Sequence, residues 1–264
     1  MGFRAHCIEF IEEVRPLLPK DAICYVIGAQ DCGFSYSYLI KRYPNKKLEL
    51  ESVIPGDKVS SDNADFKAIF KLLFSFDDVI TIDINDRADV CLDLSKEIPE
   101  EHCNKANLVV EMGTLEHIFD VKTAIENINK MLKKGGIILH VDVVSFYQHG
   151  YYNFNPIFFT SLYKGSGYKE IFKTMQVSIY NPFYVVDRSN LPKYIRYMFY
   201  VTNIILTKIA MFRFNLPLSR NGENLSYKII NFFTGHFRMS KNLLYVCAYI
   251  KKSNSLKIPY DVWD

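Results

Sequence analysis

Acidic and glycine residues that close short apolar runs are well placed to hold a ligand, and this sequence has four of them. Gly28 follows the run at 22–27, Asp83 the run at 79–82, Asp93 the run at 90–92 and Glu111 the run at 108–110. If the runs are parallel strands, all four lie on the carboxyl rim of an open sheet, where ligands bind. A carboxylate closing the second strand can accept hydrogen bonds from both hydroxyls of an adenosine ribose lying over the first. Asp93 can meet an adenine amino group while Leu94 packs against the ring. The plainer alternative for Asp83 is an exposed turn acid or a helix N-cap.

A second group is His149-Gly150-Tyr151-Tyr152-Asn153-Phe154-Asn155-Pro156. Aromatic faces stack on sugar rings or nucleobases, and a histidine beside them can take a hydroxyl proton during group transfer. The alternative is a packed aromatic cluster, with His149 bonded to backbone. His140 and Asp142 alternate along an apolar run and could be drawn with His149 as a metal site. A histidine in a central strand is more simply a satisfied core residue, so no metal is expected. The sequence has no Walker phosphate loop and no G-x-S-x-G nucleophile elbow.

The elements that must position these residues follow from periodicity. The runs at 22–27, 79–82, 90–92, 108–110 and 137–144 show little alternation, as expected of strands covered on both faces. Between them, Phe66, Ile69, Phe70, Leu73 and Phe74 form one helical stripe. Asp120 is a candidate N-cap for a helix burying Ala124, Ile125, Ile128, Met131 and Leu132. Lys133 and Lys134 suit its negative end, and Gly135-Gly136 is expected to stop it. The alternation Lys47-Leu48-Glu49-Leu50-Glu51 predicts a small added strand or hairpin. Cys7, Ile8, Ile11 and Val14 predict an N-terminal helix. Beyond residue 150 the pattern predicts a helix at 156–163, an extended segment at 168–178, mainly helix at 191–231 and a last strand at 243–250. The fold class is therefore α/β: a Rossmann-like, open, twisted, mostly parallel sheet with flanking helices. It is expected to be a single domain over 1–264 with a helical insertion at 180–240, before the final strand.

Of the 264 residues, 49% are hydrophobic and 23% charged, which suits a large core and excludes a disordered chain. The net charge of +3 conceals an asymmetry. Residues 1–132 carry 15 basic against 23 acidic side chains, and residues 133–264 carry 17 against 6. The basic half also holds 27 of the 39 aromatic residues, but in apolar runs rather than among arginines. A packed core or homodimer surface is expected there, and nucleic acid is not. Six cysteines without a C-x-x-C pair, and no secretory signal, fit a reducing cytoplasm. The uncharged stretch 197–207 is too short to span a bilayer, which needs about 20 residues. It suits a buried helix, with peripheral membrane contact as the alternative.

The stretch Asn107-Leu-Val-Val-Glu-Met-Gly-Thr-Leu-Glu-His-Ile-Phe-Asp120, followed by Met131-Leu-Lys-Lys-Gly-Gly136, resembles the class I S-adenosylmethionine-dependent methyltransferases. The likeness covers roughly residues 20–175. It implies that S-adenosylmethionine is bound by Gly28, Ala29, Gln30, Asp83, Ile84, Asp93, Leu94, Met112 and Gly113. By the same resemblance His149 and His117 are the candidate catalytic residues, and Tyr151, Tyr152 and Asn153 would meet the acceptor. The first loop departs from the family pattern. It reads Gly28-Ala29-Gln30-Asp31-Cys32-Gly33, with Ala-Gln where a second glycine is usual, and Gly28 and Asp83 are 55 residues apart. The expected function is methyl transfer to a small polar acceptor, foremost a hydroxyl of a sugar or of a phosphorylated or nucleotide-linked sugar, as in surface polysaccharide biosynthesis. Two alternatives remain: a non-catalytic methyltransferase-like scaffold subunit, and an enzyme acting on a lipid-linked acceptor at a membrane surface.

Overall fold

The computed structural model describes residue 3 and residues 5–32, 36–54, 63–146, 149–178 and 242–257. Within these, the strands are β1 (Ile23–Ile27), β2 (Asp78–Asp83), β3 (Val90–Cys91), β4 (Ala106–Met112), β5 (Leu132–Ser145), β6 (Lys169–Ser178) and β7 (Asn242–Ile250). They form one sheet in the order β3-β2-β1-β4-β5-β7-β6. β1 pairs in parallel with β2 and β4, β2 with β3, and β4 with β5. Only β7 is reversed, running antiparallel to both β5 and β6. The Rossmann-like, mostly parallel sheet expected from the apolar runs is therefore present. Its order reverses at β1 and β4, which places the ligand crevice above those two strands.

Alternation along the strands divides the core into two layers. Cys24 and Val26 of β1 point to one face, with Val79, Leu108, Val110 and Leu139. That face is covered by α1 (Ala5–Val14), α2 (Tyr36–Arg42), α3 (Lys47–Val53) and α4 (Asn63–Phe74), through Ile8, Ile11, Leu39, Leu50, Phe66 and Phe70. Tyr25 and Ile27 point to the other face, with Ile82, Val109 and Ile138. There, α5 (Val121–Met131) and α6 (Pro156–Gly165) contribute Ala124, Ile125, Ile128, Phe159, Leu162 and Tyr163. Both faces being buried explains why the strands show so few polar positions.

Two local expectations are corrected. Residues 47–51 belong to the helix α3, not to a strand or hairpin. Leu50 is buried and Leu48 exposed, and Lys47 pairs with Glu51 one turn later. α5 begins at Asp120 as expected, with its carboxylate accepting the Thr123 N–H at 3.1 Å. It ends at Met131, however, before the lysines and glycines, which belong to β5. Its last carbonyls are met from elsewhere. Asn104 N–H donates to the Lys130 carbonyl and Lys105 N–H to that of Met131. The buried Lys251 ammonium donates to the Asn129 and Leu132 carbonyls at 2.6 and 2.7 Å. With those acceptors filled, the chain enters β5 directly. Before α5, Leu115–His117 forms a single 3-10 turn.

The helix at 156–163 and the strands at 168–178 and 243–250 are present within a residue or two. The insertion expected at 180–240, including 191–231 and 197–207, lies outside the described residues. Among the described residues no helix is long and apolar enough to cross a membrane. Among the described residues the six cysteines form no disulfide.

Candidate active site

β1 ends in a sharp turn that only glycine accommodates comfortably. Gly28 has φ +90°, and a Cβ there would stand 2.5 Å from Thr114 Oγ1 and 2.7 Å from Gln30 Nε2. The neighbours are close because both side chains are tied to the strand ends. Thr114 Oγ1 donates to the Ile27 carbonyl at 3.1 Å, and Gln30 Nε2 donates to the same carbonyl at 3.0 Å and to that of Met112 at 3.4 Å. Gln30 is buried. Where a second glycine would leave open space, this chain inserts an amide that knits β1 to β4.

Beside the turn is a cavity of about 710 Å³, within the usual range of ligand pockets, roughly 300–1,000 Å³. Asp83, closing β2, forms one wall. Its Oδ2 accepts the Ala29 N–H at 2.7 Å and its Oδ1 the Asn85 N–H at 3.2 Å. Each oxygen keeps a second lone pair for a ligand hydroxyl. Next to it lie Ile84, a large apolar side chain that is 68% exposed, and the buried Leu94. Asp93 accepts from the Ser95 N–H and hydroxyl and pairs with Lys96. The Ser95 hydroxyl foremost, then Lys96, holds its carboxyl below the usual range, so it is ionised and ready to accept a hydrogen bond. Arg87 and Asp31 pair at 3.4 Å on the rim. At the opposite end are Gly113, Thr114, His117 and an exposed edge-to-face pair, Phe119 and Tyr151, with ring centres 5.7 Å apart.

Of the residues singled out from the sequence, Gly28, Ala29, Gln30, Asp83, Ile84, Asp93, Leu94, Gly113, His117 and Tyr151 line this one cavity. Four do not. The Met112 side chain is buried in the core, because its place on β4 points it away from the rim. The Tyr152 hydroxyl donates to the Phe119 carbonyl and Asn153 Oδ1 accepts the Phe146 N–H, so both brace the loop. His149 stands behind His117, with ring centres 4.7 Å apart and rings at 82°. The histidine that reaches the cavity is His117.

Below this end is a polar network that strand periodicity hides. Glu111, His140 and Asp142 have no exposed side-chain surface. Glu111 Oε1 accepts the Thr114 and Leu115 N–H groups at 2.7 and 3.1 Å, which fixes the turn carrying His117. Its Oε2 lies 3.0 Å from His140 Nδ1, and His140 Nε2 lies 2.6 Å from the Tyr163 hydroxyl. Burial above all pushes the Tyr163 phenol far up, so it keeps its proton and donates to Nε2. The Nδ1 proton is then left for Glu111. Burial, reinforced by Glu111 and Glu116, likewise raises Asp142 far above the carboxylate range and keeps it protonated. His140 is thus the satisfied core residue expected of a central strand.

Glu116 organises the end of the cavity that carries His117. Its side chain is fully buried, and among the described residues neither carboxylate oxygen has a hydrogen-bond partner. Its carbonyl accepts the Tyr151 N–H at 2.6 Å and the Tyr152 N–H at 3.3 Å. Gly150, at φ +69°, would place a Cβ 2.6 Å from that carbonyl oxygen. Glycine at 150 therefore lets the loop lie directly on Glu116 and brings His149 Nε2 to 3.4 Å from Glu116 Oε1. His117 Nε2 is 3.9 Å from the same oxygen. Burial, aided by His149 and opposed by Glu116, lowers the His117 pKa, so its imidazole is neutral at neutral pH. The signal available in the sequence was Leu-Glu-His at 115–117 together with His-Gly at 149–150.

No family model and no curated protein matches this chain. Among solved structures it is similar to a candidate methyltransferase from Bacillus halodurans C-125, with TM-score 0.49 and 10% identity over 93% of this chain and 99% of that one. It is also similar to Haemonchus contortus phosphoethanolamine N-methyltransferase 2, solved with S-adenosyl-L-methionine: TM-score 0.43, 12% identity, 94% of this chain and 53% of that one. A third is the O-methyltransferase of a Brevibacillus brevis trans-AT polyketide multienzyme, solved with S-adenosyl-L-homocysteine: TM-score 0.44, 10% identity, 93% of this chain and 71% of that one. These are likenesses of fold.

Proposed function

We propose that this chain is an S-adenosylmethionine-dependent methyltransferase acting on a small polar acceptor. The observation that carries the reading is the cavity over the carboxyl ends of β1, β2 and β4, with the Asp83 carboxylate beside the left-handed Gly28. The adenosine half of the cofactor fits the hydrogen-bond acceptors and apolar side chains present. Asp83 would take the ribose hydroxyls, Asp93 the adenine amino group, and Ile84 and Leu94 the faces of the ring. Gly113 and Thr114 would flank the reacting end.

When bound, the cofactor supplies an electrophilic methyl group on a sulfonium, so the protein's work is mainly alignment and exclusion of water. His117 is the polar side chain positioned to meet the acceptor, and His149 and Glu116 stand behind it. The flat faces of Phe119 and Tyr151 favour a sugar ring or nucleobase at the cavity mouth, and Arg87 on the rim suits a phosphorylated or nucleotide-linked sugar. A hydroxyl acceptor is the preferred choice.

A specific observation keeps a second reading in play. Gln30 and Thr114 fill the space over Gly28 that the methionine carboxylate would approach, as expected if the chain were a scaffold that had lost cofactor binding. Calorimetry with S-adenosylhomocysteine separates the two. Saturable binding is expected, and Asp83→Ala should weaken it by about 1–3 kcal/mol through lost hydrogen bonds. Absence of heat at high micromolar ligand would instead favour the scaffold. Binding that Asp83→Ala leaves unchanged would put the ribose elsewhere.

A further inference from the structure

We propose that Glu116, His117 and His149 hold one divalent first-row transition-metal ion, of the zinc or cobalt type, at the inner end of the cavity. The three donor atoms lie within 4.8 Å of one another. Ligands at about 2.0–2.2 Å from a tetrahedral centre stand roughly 3.3–3.5 Å apart. The separations of 3.4 Å from His149 Nε2 to Glu116 Oε1 and 3.9 Å from His117 Nε2 to the same oxygen need only a small contraction. The two imidazoles meet edge to face, which lets their nitrogens converge without a clash of ring faces.

A second, independent observation is the state of Glu116. Its side chain has no exposed surface and, among the described residues, both oxygens lack a hydrogen-bond partner, a costly condition for a carboxylate. A divalent cation bridging it to two neutral imidazoles removes that cost. The loop is also built for close approach, since Gly150 has no side chain where one would strike the Glu116 carbonyl. Two histidines and one carboxylate suit zinc and its neighbours better than magnesium or calcium. Three protein ligands leave a coordination position for an oxygen ligand, and His117 lies on the cavity wall. The other histidine–carboxylate cluster, Glu111, His140 and Asp142, does not qualify. Glu111 is held by two backbone N–H groups and His140 Nε2 by Tyr163.

The test uses the full chain, stripped with a chelator and titrated with cobalt(II). The expected result is one equivalent taken up, with visible absorption of a four-coordinate nitrogen–oxygen site and no thiolate charge-transfer band from the six cysteines. His149→Ala and His117→Ala should each weaken uptake at least about tenfold. Glu116→Gln should do the same. His117 is half exposed, so its variant is expected to fold even if the buried Glu116→Gln does not, with circular dichroism as the check. No uptake, uptake with a thiolate band, or unchanged affinity in both histidine variants overturns the proposal. Metal uptake is measured without nucleoside, and S-adenosylhomocysteine binding can be measured without metal. Failure of the metal site is thus distinguishable from failure of the methyltransferase reading.

Discussion

Glu111 illustrates how a strand residue can serve the site without touching ligand. Its carboxylate faces the core, yet it orients the turn at 114–117 through two backbone amides and anchors His140. Burial works to protonate a carboxylate in such surroundings, and here the interactions with His140, together with hydrogen bonds from Asp142 and the Thr114 N–H, outweigh it and hold Glu111 below its ordinary value. Asp142, 3.3 Å from the same histidine nitrogen, resolves the conflict by remaining a neutral acid. The two residues should therefore respond differently to substitution. Glu111→Ala should destabilise the fold by roughly 3–5 kcal/mol, as expected for removing one partner of a buried pair. Asp142→Asn, which keeps shape and neutrality, should cost less than about 1 kcal/mol. Urea unfolding of both variants checks this, and equal losses would mean that Asp142 is ionised after all.

Among the elements, the short edge strand β3 depends most on a single side chain. It is two residues long and, among the described residues, pairs only with β2 and has no strand partner on its other edge. Just before it, Asp89 ties the edge down by accepting the Thr81 N–H and hydroxyl at 2.8 and 2.9 Å and the Lys67 ammonium at 2.7 Å. Burial alone would raise its pKa, but the Lys67 and Thr81 hydrogen bonds outweigh it and bring the group below its ordinary 3.8. The unfolded chain then binds the proton more readily, so stability from Asp89 is complete above about pH 4 and is lost as pH falls through the lowered value. Hydrogen exchange at the Thr81 amide should accelerate on acidification in the wild-type chain. Asp89→Asn should remove that acid dependence. If the wild-type rate showed no acid step beyond intrinsic exchange, Asp89 would not be holding the edge. Because Asp93 and Leu94 follow β3, loosening this edge should also disturb the wall of the cavity that they form.

For the molecule as a whole, the site joins segments far apart in sequence. The cavity takes its walls from the loops after β1, β2, β3 and β4 and from Tyr151 after β5. The C-terminal part is equally integral: β7 is inserted between β5 and β6, and Lys251 after it closes the end of α5. A ligand that bridges these walls should stabilise the entire domain. At S-adenosylhomocysteine one hundred times its dissociation constant the gain is about 2.7 kcal/mol. For a chain of this size that corresponds to a rise in Tm of roughly 5–10 °C. A thermal melt with saturating ligand checks it, and an unmoved transition would mean that the ligand does not engage the folded state.

The layered architecture and the rim residues Gly28, Asp83 and Asp93 were legible in the residue order. Burial on both sheet faces produces uninterrupted apolar runs, and the change to glycine or acid marks where each strand leaves the core. Amphipathic spacing located α4 and α5 for the same reason. The failures were local contests decided by distant partners. Residues 47–51 follow the burial of Leu50 rather than their alternation, and α5 ends where Lys251 and the amides of 104–105 meet its carbonyls. The site divides in the same way. Which histidine faces the cavity depends on a loop at 149–151 settling on the backbone of residue 116, more than thirty positions earlier. Whether Gln30 fills the rim depends on the Met112 carbonyl, 82 positions later. Periodicity reports burial of a segment against its own sheet, whereas such contacts arise only when two loops are brought within hydrogen-bonding distance by the finished fold.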